Sequence, residues 1–76
     1  MANSPETFPE LVREVRRQLG ISQEELAHKL GVSFATINRW ENGKTTPFKL
    51  ARGQFDVFCN KMVAEKKLRL PAKIEE

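Results

Sequence analysis

Cysteine, histidine and long apolar runs are scarce in this sequence. A single cysteine, Cys59, excludes an internal disulfide and leaves too few thiols for the usual structural zinc sites. Its simplest role is that of a small buried apolar side chain. The one histidine, His28, falls on the polar side of its helix, so no Ser/His/Asp or Cys/His arrangement can be assembled. Glu24 and Glu25 are adjacent and diverge on a helix, which argues against a paired-carboxylate site. There is no glycine-rich phosphate loop. The expectation is a non-enzyme with no metal and no cofactor. No apolar run approaches a membrane span, and the N-terminal MANSPETFPE lacks both a basic start and a hydrophobic signal core. A cytosolic protein without a membrane partner is expected.

What remains is short and mildly basic. Seventy-six residues make one small domain, which buries only roughly 60% of the surface its unfolded chain exposes. The net charge of +3 identifies no partner by itself. Its distribution says more. Between His28 and Arg52 the basic residues are Lys29, Arg39, Lys44, Lys49 and Arg52, against the single acid Glu41. One face able to meet phosphates would carry such a bias.

Residues 1–6 show no apolar periodicity and read as a flexible leader. A domain over residues 7–70 follows. Thr7 and Glu10 have capping-box spacing, and Pro9 is tolerated in the first turn, where its missing N–H has no intrahelical partner. The first helix then runs to about Leu19, with Phe8, Leu11, Val12, Val15 and Leu19 inward and Gly20 as its stop. Arg13 and Arg17 read as ordinary surface cations.

The organising stretch is residues 22–43, SQEELAHKLGVSFATINRWENG. Ser22 and Glu25 form a second capping box, so a helix should begin at Gln23. Leu26, Ala27 and Leu30 recur on its inner face, and Gly31 supplies a residue for positive φ. Ser33 caps the next helix, which has Ile37 and Trp40 on its inner face and ends at Asn42-Gly43. Ala27 is small opposite Ile37, as two steeply crossing helices over a short turn require.

After a polar loop, Thr46 can cap and Pro47 open a final helix. Its stripe is Phe48, Ala51, Phe55, Phe58, Cys59 and Met62, reaching about Lys66. Gly53 leaves open whether this is one helix or two. Val57, Val63, Leu68 and Leu70 lie off the stripe, to form a partner surface or to complete the core. Pro71 breaks what precedes it, and residues 71–76 read as a frayed tail.

Gln23, Ala27, Leu30, Gly31, Val32, Ile37 and the run from Arg39 to Gly43 resemble the helix-turn-helix of the lambdoid phage repressor and Cro family, which includes many small bacterial regulators of the XRE type. The resemblance is strong from about Leu11 to Pro47. It implies an all-α, compact four- or five-helix lambda-repressor-like domain that docks its recognition helix in the major groove of double-stranded DNA. It also implies an ion pair between Arg16 and Glu41. Beyond Pro47 the sequence departs from the larger family members, which leaves their mode of dimerisation in question here.

The family's groove-facing positions fall on Ser33, Phe34, Ala35, Asn38 and Arg39. Arg39 suits guanine or a phosphate, Asn38 suits adenine, and Phe34 and Ala35 suit thymine methyl groups. Folding of Phe34 onto the core is the competing reading. Gln23 matches a phosphate-binding glutamine, and Asn42, Lys44 and Thr45 follow the helix where flanking phosphates would lie. Trp40 belongs to the core. The implied function is transcriptional regulation, most simply repression, by a homodimer on two half-sites. Two alternatives stand beside it: an antitoxin or protein-interaction module using the C-terminal helix, and the DNA-binding part of a longer DNA-modifying enzyme.

Overall fold

The structure, a computed structural model, describes residues 6–70. The expected leader lies, but for Glu6, outside the described residues, as does the expected tail over residues 71–76. Four helices make up the described chain: α1 (Phe8–Leu19), α2 (Gln23–Leu30), α3 (Phe34–Glu41) and α4 (Lys49–Ala64).

Local chemistry sets most of their ends. The Thr7 hydroxyl accepts the N–H of Glu10 at 3.3 Å, but the Glu10 carboxylate takes the N–H of Glu6 instead of completing the expected box. At α2 both halves of the box close, Glu25 N–H to the Ser22 hydroxyl at 3.0 Å and Ser22 N–H to the Glu25 carboxylate at 2.7 Å. Gly31 then takes φ 75°, and the Val32 N–H reaches back to the Ala27 carbonyl at 3.0 Å. That left-handed residue turns the chain sharply into α3.

The start of α4 differs from expectation. Phe48, with ψ 158°, is its N-cap without a side-chain cap bond, so neither does Thr46 cap it nor does Pro47 open it. Thr46 lies outside regular structure, and the proline that follows disfavours helical geometry there. An extended residue spans about 3.3 Å against 1.5 Å in a helix, so the short connection gains reach by staying extended. Outside the helical register, Phe48 leaves the proposed stripe and is 85% exposed.

Beyond this point α4 runs unbroken through Gly53, which leaves four helices among the described residues. The roughly 1 kcal/mol that glycine costs there is offset by complete burial of Phe55 and Cys59. Burial also pushes the Cys59 thiol up to about 12, so it stays protonated and inert.

One core joins all four helices: Val12 and Val15 from α1, Leu26 from α2, Ile37 and Trp40 from α3, Phe55 from α4. Phe8, Trp40 and Phe55 meet edge to face, with ring centroids 5.2 to 6.3 Å apart. Of the four off-stripe residues, Leu68 is buried and Leu70 packs against the core, whereas Val57 and Val63 stay exposed. Among the described residues no helix is long and apolar enough to cross a membrane.

Candidate nucleic-acid interface

Glu41, the last residue of α3, anchors the second half of the motif. It is buried, and Arg16 on α1 meets its carboxylate with two hydrogen bonds, Nε to Oε2 at 2.6 Å and Nη2 to Oε1 at 3.0 Å. The Gln23 amide donates to Oε1 at 3.0 Å. Burial alone would raise the Glu41 pKa, but the hydrogen bonds from Arg16 and Gln23 and the charges of Arg16 and Arg13 outweigh it and hold it below the usual carboxylate value. Glu41 is therefore an anion at neutral pH, and the pair implied by the resemblance is present.

An ionised carboxylate only accepts hydrogen bonds, which fixes everything hydrogen-bonded beyond it. Gln23 must turn its NH₂ toward Glu41, so its oxygen faces Asn38, whose NH₂ donates to it at 3.3 Å. The Asn38 oxygen in turn accepts from Asn42 at 3.0 Å. Asn38 is half-buried in this chain of amides. It keeps one N–H and one lone pair uncommitted.

The remaining groove candidates sit on the outer side of α3. The Ser33 hydroxyl accepts the Thr36 N–H at 3.1 Å and lies 2.9 Å from the Thr36 hydroxyl, so Ser33 is engaged as a cap while still exposed. Phe34 is 48% exposed and does not fold into the core. Ala35 and Arg39 are exposed, and so are Asn42, Lys44 and Thr45 past the helix end. Neither Arg39 nor Lys44 is in an ion pair among the described residues. Ile37 and Trp40, on the opposite face, are buried.

Arg13 was missed as an ordinary surface cation. Its guanidinium donates to the Glu41 carbonyl, placing positive charge at the negative end of the α3 dipole. The signal was its spacing, one turn before Arg16 on the same helix. The link from Gln23 to Glu41 carries no such signal, because eighteen positions of sequence separate the two residues.

With this geometry in place, comparison with known proteins gives a consistent result. A helix-turn-helix family model matches residues 12–47. An uncharacterized HTH-type transcriptional regulator of Methanothermobacter thermautotrophicus is 49% identical over 37 residues, covering 49% of this chain and 54% of that protein. The type II methyltransferase M1.ScrFI of Lactococcus lactis subsp. cremoris is 44% identical over 43 residues, covering 53% of this chain but only 11% of the enzyme. The chain thus spans about half the length of one relative and about a tenth of the other. No solved structure matches significantly. Over residues 12–47, with α2 and α3 at their centre, the chain is similar to helix-turn-helix proteins, which supports the resemblance to the lambda repressor-like family of XRE-type regulators.

Proposed function

We propose that the protein binds double-stranded DNA sequence-specifically, laying α3 in the major groove, and regulates transcription, most simply by occupying a promoter. One observation carries the reading: α3 is locked on its inner side by Ile37, Trp40 and the Glu41 network, while Phe34, Ala35 and Arg39 on its outer side are committed to nothing. Arg39 reads guanine, and the donor and acceptor left on Asn38 match the edge of adenine. Phe34 and Ala35 offer apolar contact to thymine methyls, and Ser33 stands at the groove-facing helix start. Gln23, with one N–H left over, and Asn42, Lys44 and Thr45 hold the phosphates. One such helix covers only a few base pairs, so two copies bind half-sites about one helical turn apart. The protein acts without catalysis of its own.

The test is selection from a random duplex library at near-physiological salt, run in parallel on Arg39→Ala. Enrichment of a two-fold symmetric site, with preference relaxed at one position per half-site and affinity lower by about 1–3 kcal/mol in the variant, is the expected result. Weak, salt-sensitive binding to every duplex alike would overturn sequence-specific recognition. The similarity to a methyltransferase favours a second reading, in which the same motif directs a longer DNA-modifying protein to its site.

A further inference from the structure

The outward face of α4, beyond the helix-turn-helix match, is apolar where solvent would favour polar residues. Leu50 is 78% and Val57 68% exposed. Together with Leu30 at the end of α2 and Phe58 they floor an open groove of about 940 Å³, enough to admit several side chains. Lys29, Lys49 and Lys61 rim it, none of them ion-paired among the described residues, and no acidic residue lines it.

Gly53 lies at its middle. Its φ is not left-handed, and a Cβ there would meet nothing within 4 Å, so the chain's own packing gives no reason for glycine. The helix nevertheless bears the propensity cost. The bare backbone at Gly53, between Leu50 and Val57, leaves room for a group that approaches closely from outside.

We propose that this groove docks an acidic amphipathic helix of a partner protein. The charge decides the occupant. A second copy seated groove to groove would set lysines against lysines, whereas acidic flanks would pair with all three. Lys49 and Lys61 stand about 18 Å apart along the axis, a little over three helical turns. The fitting segment has leucine or phenylalanine at i, i+3 or i+4, and i+7, a large side chain over Gly53, and Asp or Glu at both ends.

Panning a random displayed peptide library on the full chain tests this, with Val57→Asp as the counter-selecting variant. Enriched peptides should share acid-flanked apolar residues at helical spacing and lose at least about tenfold in affinity for Val57→Asp and for Lys61→Glu. Gly53→Leu should weaken them equally by filling the notch, while Gly53→Ala raises the thermal midpoint by a few degrees. Circular dichroism of each variant separates lost binding from lost fold. Failure to enrich any peptide overturns the proposal, as do peptides without acidic flanks or indifferent to Val57→Asp and Lys61→Glu. Concentration-dependent self-association abolished by Val57→Asp would assign the groove to a second copy instead and equally overturn it.

Discussion

Helix α1 holds its neighbours on two sides with the same chemical pattern at different depths. Toward α3, Arg16 clasps Glu41 through two hydrogen bonds, and the carboxylate orients the Gln23 amide, which reaches on to Asn38. Toward the C-terminal segment, Arg17 clasps Glu14 in the same two-pronged way, at 2.9 and 2.6 Å. Glu14 orients the Gln18 amide, which exchanges two 2.7 Å hydrogen bonds with the backbone of Arg69. In each case an ionised glutamate sets which way a glutamine amide faces. The difference is water. Glu41 and its Arg16 are 4% and 25% exposed, whereas Glu14 and its Arg17 are 21% and 71% exposed. A buried arrangement becomes costly to break, while an exposed one can be replaced by solvent at little loss.

The largest effect expected from that contrast belongs to Arg16→Ala. It strands a buried carboxylate that Arg13 and Gln23 compensate only in part, so stability should fall by about 2–3 kcal/mol in urea titration. Removing both charges with the apolar pair Arg16→Met and Glu41→Leu should recover most of that loss. Arg17→Ala, on the exposed side, should leave the urea midpoint almost unchanged. Equal losses for Arg16→Ala and Arg17→Ala would remove burial as the distinguishing factor.

Acid should separate the two sides next. Both glutamates have folded-state pKa values below the ordinary one; for Glu14 the hydrogen bonds from Arg17 and then Gln18 hold it at about 2. A depressed folded value means stability that is present above the unfolded pKa, about 4.3, and lost as pH falls through the folded one. Urea midpoints should therefore decline from about pH 4.5 downward. In 1 M NaCl, where screening acts over about 3 Å, the share from half-buried Glu14, paired with the exposed Arg17, should fade more than that from Glu41. Acid sensitivity wholly removed by salt would show that the buried network contributes little of it.

Gln18→Ala probes the exposed clamp from its other end. It deletes both hydrogen bonds to Arg69 but leaves Leu68 buried, so a loss of about 1 kcal/mol is expected. Amide exchange should quicken near Leu68 and Arg69 and stay unchanged in α3. Faster exchange throughout α3 would mean that the two sides of α1 unfold together.

Local signals carried much of this molecule into view from its sequence. The capping serines, Gly31 and the face shared by Ile37 and Trp40 place α2 and α3, because these are neighbour-to-neighbour effects within a few residues. The start of α4 was misread because Thr46-Pro47 is an equally good beginning for an extended connection, and the distance to be spanned decides between them. Gln18 holds Arg69, between the inward-turned Leu68 and Leu70, through a contact across 51 positions that no periodicity encodes. The exposed outer residues of α3 follow from its pattern; the amide chain behind them does not.

The smallest effect concerns how the two ends of the α1 contact are reached. Chain direction changes after α1 at Gly20, φ 67°, and after α4 at Lys66, φ 64°, the one non-glycine residue with positive φ among those described. The turn after α4 has the same hydrogen-bonded form as a glycine stop, with Lys66 N–H to the Val63 carbonyl at 3.0 Å and Lys67 N–H to that of Met62 at 2.9 Å. A lysine held left-handed costs about 1–2 kcal/mol. Glycine relieves that strain but gives back about 0.5–1 kcal/mol through the greater freedom of the unfolded chain. Lys66→Gly should thus stabilise by up to about 1 kcal/mol, a rise of several degrees in thermal midpoint. Gly20→Ala, which introduces the same strain after α1, should lower it. If Lys66→Gly lowers the midpoint as well, the lysine side chain itself helps to seat the C-terminal segment, and the exposed side of α1 holds more than its clamp.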